Sequence, residues 1–214
     1  MFGILCFGDS ITFGRGETPS YGWCGRLKEF FEAKDKYHAV YNLGIPGNTS
    51  QDLLQRFDIE CKARIKLKRP SDQYIILIAM GSNDCKWDGM PEQKNPRMKE
   101  ETFRKNMRTL LKKAKSYPAQ LGCIGLPPVD ETRTLPYEET SFTNKRVAFF
   151  NKIVKECCSK EKVLFLDMFK KMHKRKYTLF LEDGVHPNKA GYDFMYSQIK
   201  TWLENVKNFP LVSD

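Results

Sequence analysis

Ser10, His186, Asp183, Asn83 and the glycines Gly44 and Gly47 are residue types that, taken together, suit acyl transfer. That chemistry needs a nucleophilic hydroxyl, a base to take its proton, a group that orients the base, and donors aimed at a developing oxyanion. Ser10, closing Gly8-Asp9-Ser10, offers the hydroxyl. His186 offers the imidazole, and Asp183, three residues earlier, can reach its other ring nitrogen across a tight turn. The glycines offer backbone N–H groups open to close approach, Asn83 a side-chain amide, and Ser10 its own N–H. Each residue also has an ordinary use. A serine after Gly-Asp caps helices, Asp-Gly and glycine-rich stretches shape turns, and Asn83 can end one. The set, rather than any member, points to one reaction.

These residues need a scaffold that brings them to one place. Apolar, β-branched runs at Phe2–Phe7, Tyr37–Leu43, Gln73–Met80, Gln120–Leu126 and Val163–Asp167 read as strands. Between them, Trp23–Ala33, Ser50–Lys68, Glu100–Ser116, Thr143–Ser159 and the closing Asn188–Val206 carry helical spacing. Strands without polar alternation are buried on both faces. The expected fold is therefore α/β, a three-layer α/β/α sandwich on a five-stranded parallel sheet, with residues 1–214 as one domain. In such a sheet ligands bind beyond the carboxyl ends of the strands. The polar groups fall there: Gly8-Asp9-Ser10, Asn42 to Thr49, Gly81-Ser82-Asn83-Asp84, and Asp183 to Asn188 past a short connection. The loops Cys85–Arg97 and Pro127–Phe142 also follow strand ends. Trp87, Tyr137, Phe142 and Val185 lie near that rim, either lining an acyl or alcohol pocket or packing the loops down.

The chain carries a formal net charge of +10 and a pI near 9.2. A basic balance raises the question of nucleic acid or an anionic membrane. Most of it reads as a solvated surface: in Phe103–Lys115, Phe103, Met107, Leu110, Leu111 and Ala114 share one helical face and the cations lie mainly off it. No zinc-finger spacing, aromatic RNA-binding signature or basic tail appears, so no nucleic-acid partner is expected. The 7 cysteines form no C-x-x-C, and Cys6 and Cys123 fall in strand patterns, which reads as reduced thiols in a cytoplasmic protein. The first residues are already strand, and the longest apolar run, Ile75–Met80, is too short to insert in a bilayer. His38 and His173 read as surface residues, and no cluster suggests a metal or other cofactor.

Four blocks, spread from one end of the chain to the other, resemble the GDSL, or SGNH, hydrolase family: Gly8-Asp9-Ser10-Ile11-Thr12-x-Gly14, Asn42-x-Gly44-x-x-Gly47-Asn48-Thr49-Ser50, Gly81-x-Asn83-Asp84, and Asp183-x-x-His186-Pro187-Asn188-x-x-Gly191. Ile11 stands where leucine is commonest in that family. The Gly-x-Ser-x-Gly elbow of the larger α/β-hydrolases is absent around Ser10. The resemblance implies a flavodoxin-like fold, a small ester or thioester as substrate, and a Ser10 acyl-enzyme. It implies Ser10 as nucleophile, His186 as base oriented by Asp183, and an oxyanion hole of Ser10 N–H, Gly47 N–H and Asn83; the choice of Gly47 over Gly44 rests on it. Asp9 and Asp84 are expected to tie loops together. An acyltransferase using the same site, or a non-catalytic protein that binds an anionic ligand or nucleic acid, would be the rival readings.

Overall fold

β1 (Phe2–Gly8) is buried on both faces because its alternate side chains feed two different apolar layers. Leu5 and Phe7 point to one cluster, with Ile76, Ile78 and helices α3 (Ser50–Arg64), α4 (Glu100–Lys115) and α6 (Asn144–Glu161). Ile4 and Cys6 point to the other, with Ile75, Leu77 and helices α2 (Gly22–Glu32), α7 (Met168–His173) and α8 (Lys189–Asn205). A period of two with both faces apolar is the pattern of a central parallel strand. The computed structural model describes residues 1–173, 175, 177–180 and 183–205. Val206, expected to end the last helix, lies outside them.

The sheet is parallel, in the order β2 (Ala39–Gly44), β1, β3 (Gln73–Ala79), β5 (Gln120–Ile124) and β7 (Leu164–Leu166). Helices cover both faces, giving the expected α/β sandwich. The chain reverses its direction of travel across the sheet between β1 and β3, and such a switch point opens a crevice. Register makes that crevice a site. Gly8 pairs with Gly44 on one side and Ala79 on the other, so three strands end on one level. Ser10, Gly47 and Asn83 follow within four residues of that level.

Some boundaries moved for local reasons. The helix expected to reach Lys68 stops at Arg64, because Ile65 turns extended (ψ 99°) and the Lys66 and Lys68 amides bond Tyr74 Oη and Asp72 Oδ2. β2 starts at Ala39 rather than Tyr37, because Asp35 holds a turn through the Tyr37 and His38 amides. His38 is no solvated surface residue: its ring packs on Phe2 and Phe31. His173 stacks on Phe169. Four of the short elements had no pattern long enough to find. They are α1 (Ser10–Phe13), α5 (Glu131–Thr134), and the antiparallel pair of β4 (Trp87–Asp88) with β6 (Thr140–Ser141). That pair ties the two rim loops together.

Candidate active site

Ser10 begins α1 directly after β1, with Asp9 as its cap: Asp9 Oδ1 accepts from the Ile11 amide at 2.9 Å. The serine amide therefore falls among the first-turn N–H groups that have no acceptor inside the helix. Across the crevice, the Asp183 turn is built by its own side chain. Oδ1 accepts from the amides of Val185 and His186, both at 2.9 Å, which leaves Oδ2 for the imidazole. His186 Nδ1 lies 2.6 Å from Asp183 Oδ2, and His186 Nε2 lies 2.8 Å from Ser10 Oγ. With its proton on Nδ1, the ring presents a lone pair to the serine. Ser10 and His186 are 8% and 6% exposed, so these bonds form with little competing water. Burial works to raise the Asp183 carboxyl, but the His186 ring and the two turn amides outweigh it and hold it below its ordinary value. The turn is anchored from outside: the Asp130 amide bonds Gly184 O at 2.8 Å, and Asn188 bonds the carbonyls of Thr178 and Phe180.

The second and third strand ends meet in the same place. Asn83, which lines the cleft over Ser10, donates from Nδ2 to Asn48 O at 3.0 Å, which uses one of its two hydrogens. Gly44 and Gly47 have different jobs. A Cβ on Gly44 would meet Phe13 N at 2.2 Å, so this glycine lets β2 pack against α1. Gly47 sits at φ +81° with nothing within 4 Å of a Cβ, at the lip of the cleft. Arg56 on α3 clamps the arrangement. Its Nη2 donates to Gly8 O (3.2 Å) and Leu43 O (2.9 Å), and its Nε to Asn48 Oδ1 (3.0 Å).

The two other acids hold loops. Asp84 accepts from Ser50 N and Oγ, and Asn106 Nδ2 donates to Ser50 Oγ, so the third block is bolted to the start of α3. Burial pushes the Asp84 carboxyl up to about 6 against those bonds. Burial likewise pushes Asp9 up to about 6, against the Ile11 amide and the field of His186.

The cleft over Ser10 is small, about 160 Å³. Tyr137, Phe142 and Val185 line it with His186, Asn83 and Gly47. Trp87 does not: it is held in β4 beneath the guanidinium of Arg146, whose Cζ is 4.4 Å from its ring centroid. Two lining residues that motif reading passed over are Arg15 and Lys86. Following each strand end a few residues further would have reached both. The clamp Arg56 stands one helical turn past Asp52, on the flank of the buried Leu53–Phe57 face.

Comparisons with known proteins point the same way. The model of the GDSL-like lipase/acylhydrolase family matches residues 6–194. Thioesterase 1/protease 1/lysophospholipase L1 of Escherichia coli is 27% identical over 205 residues, 96% of this chain and 85% of that protein. Esterase TesA of Pseudomonas aeruginosa is 23% identical over 189 residues, 87% of this chain and 80% of that protein. Among solved structures, the lipase/acylhydrolase from Enterococcus faecalis superposes with a TM-score of 0.74 at 25% identity, covering 95% of this chain and 96% of that one. Axe2, an acetylxylan esterase from Geobacillus stearothermophilus, shares the fold with a TM-score of 0.72 at 20% identity, covering 93% and 92%. With a family model matched over most of its length and esterases among its relatives, this chain belongs to the GDSL-like lipase/acylhydrolase family and is a carboxylic ester hydrolase.

Proposed function

We propose that the protein hydrolyses small esters or thioesters in two steps through an acyl group on Ser10. His186 Nε2 takes the hydroxyl proton as Ser10 Oγ attacks the acyl carbonyl. Asp183 holds the ring and stabilises the imidazolium that forms. The oxyanion is received by the N–H groups of Ser10 and Gly47 and by the free hydrogen of Asn83 Nδ2. His186 then protonates the leaving alcohol or thiol. In the second step it takes a proton from water, which attacks the acyl-enzyme and restores Ser10. The observation that carries this reading is the unbroken hydrogen-bond chain from Ser10 Oγ through His186 to Asp183, at 2.8 Å and 2.6 Å.

A cleft of about 160 Å³ favours short acyl chains; clefts for drug-sized ligands are typically about 300–1,000 Å³. Both layers of the core rest on the same sheet, which supports treating residues 1–214 as one domain. Seven buried, unbridged cysteines fit a cytoplasmic protein. Among the described residues no helix is long and apolar enough to cross a membrane.

A p-nitrophenyl ester series from acetate to decanoate, on wild type and Ser10→Ala, tests the reading. Turnover should peak at the shortest chains and fall on the order of 10⁴-fold or more in Ser10→Ala. Turnover that survives the loss of Ser10 would overturn it. Adding an alcohol acceptor and assaying for transferred ester separates hydrolysis from acyl transfer, which share the first step.

A further inference from the structure

Lys86 and Arg15 line the Ser10 cleft, and neither is neutralised there. Among the described residues no carboxylate lies within ion-pair distance of either side chain. The acids around the cleft are engaged elsewhere or exposed. Asp88 accepts from Arg97 Nη2 at 2.7 Å and Nε at 3.0 Å. Asp183 is bonded to His186. Glu138 is exposed and acts on Lys86 only through its field. Lys86 is also half-buried, with Nζ 5.9 Å from the centroid of the Phe142 ring. Burial lowers its affinity for a proton, and the neighbouring Arg97 adds to that. An ammonium that has lost water without gaining a counter-charge is a costly arrangement, and an anion at that spot would relieve it.

Both cations are held in place by their backbones. The Arg97 amide bonds Lys86 O at 3.0 Å. The Arg15 amide bonds Ser10 O at 2.9 Å, and Tyr192 Oη donates to Arg15 O at 2.7 Å. A cleft of about 160 Å³ is well below the roughly 300–1,000 Å³ typical for drug-sized ligands. It can take a short acyl group but little else, so the rest of the substrate must lie at the mouth, where Arg15 is exposed. We propose that the preferred substrates are short-chain esters or thioesters whose leaving alcohol or thiol carries an anionic group, held by Lys86 and Arg15.

This rests on Ser10 being the nucleophile of an esterase, and the test keeps the two apart. The probes are 4-acetoxybenzoate, its neutral methyl ester, and p-nitrophenyl hemisuccinate, which carries its charge on the acyl side instead. The readout is the ratio of kcat/KM for 4-acetoxybenzoate to that for the methyl ester, so that a general loss of activity cancels. That ratio should fall about tenfold in Lys86→Ala, further in Lys86→Glu and in Lys86→Ala with Arg15→Ala, and stay near wild type in Lys86→Arg. Added salt should lower the wild-type ratio toward that of Lys86→Ala. The hemisuccinate, relative to p-nitrophenyl acetate, should not respond in the same way. Ser10-dependent hydrolysis of the methyl ester with an unchanged ratio in Lys86→Ala and Lys86→Glu would overturn the inference and leave the esterase standing. A response confined to the hemisuccinate would overturn the placement of the charge on the leaving group. Absence of Ser10-dependent turnover of every probe would remove the esterase reading and this inference with it.

Discussion

Two of the clefts on this molecule treat their charged side chains in opposite ways. The wider, about 730 Å³, opens between α2 and α8. There Arg26 bonds both oxygens of Glu17, at 2.7 and 2.8 Å, and Asp193 at 2.5 Å, while Tyr21 bonds Glu29. Its acids and guanidinium satisfy one another. In the small cleft over Ser10, Lys86 and Arg15 have no carboxylate partner among the described residues, and Asp9, the residue before Ser10, is a buried acid. Size does not mark the proposed reactive place. What sets the proposed reactive cleft apart is half-buried charge without a partner among the described residues, which a substrate or a transition state can relieve.

The sharpest test of this contrast is Asn83→Ala. If the free hydrogen of Asn83 serves the oxyanion, kcat should fall roughly 10²–10³-fold with KM little changed. Circular dichroism and the melting temperature should show the fold retained. Near-normal kcat would take Asn83 out of the oxyanion hole.

A smaller effect should appear in stability against pH. The folded-state pKa of Asp9 is about 6, above the ordinary 3.8. Between those values the folded chain keeps a proton that the unfolded chain has released. The stability tied to the neutral acid is thus full below about pH 3.8 and is lost as pH rises through about 6. Asp9→Asn can still cap the Ile11 amide but cannot ionise. Urea unfolding should show its stability relative to wild type increasing from about pH 4 to about pH 7. A flat difference would mean that Asp9 ionises as an ordinary surface acid does.

The smallest effect on activity belongs to the wider cleft. Arg26→Ala breaks its ion pairs and should lower the melting temperature by several degrees, while kcat/KM on p-nitrophenyl acetate stays within about threefold of wild type. A loss as deep as that of Asn83→Ala would erase the distinction between the clefts.

Much of the molecule could be read directly. The five strands were legible because each is a mainly apolar run, and in the central β1 and β3 burial on both faces leaves no polar alternation to confuse the pattern. The Asp183 turn was legible because Asp-Gly is local chemistry: the carboxylate bonds amides two and three residues ahead. The pair β4 and β6 was not, since each strand is only 2 residues long and carries no period. Trp87 drew attention as a rim aromatic, yet a cation 59 positions further along, Arg146, took its face.

The sequence by itself determined the α/β sandwich and the small set of residues able to do acyl chemistry, because periodicity and turn chemistry act over a few neighbouring residues. Only the tertiary structure decided which of those residues meet. Ser10 and His186 are 176 positions apart, and the aligned ends of β1, β2 and β3 set their neighbours. It also decided that Gly44 packs while Gly47 stays open, and that among the described residues Lys86 has no carboxylate partner while Arg26 has two. Charge pairing and solvent exclusion depend on what the fold places nearby, and no short stretch of chain contains that information.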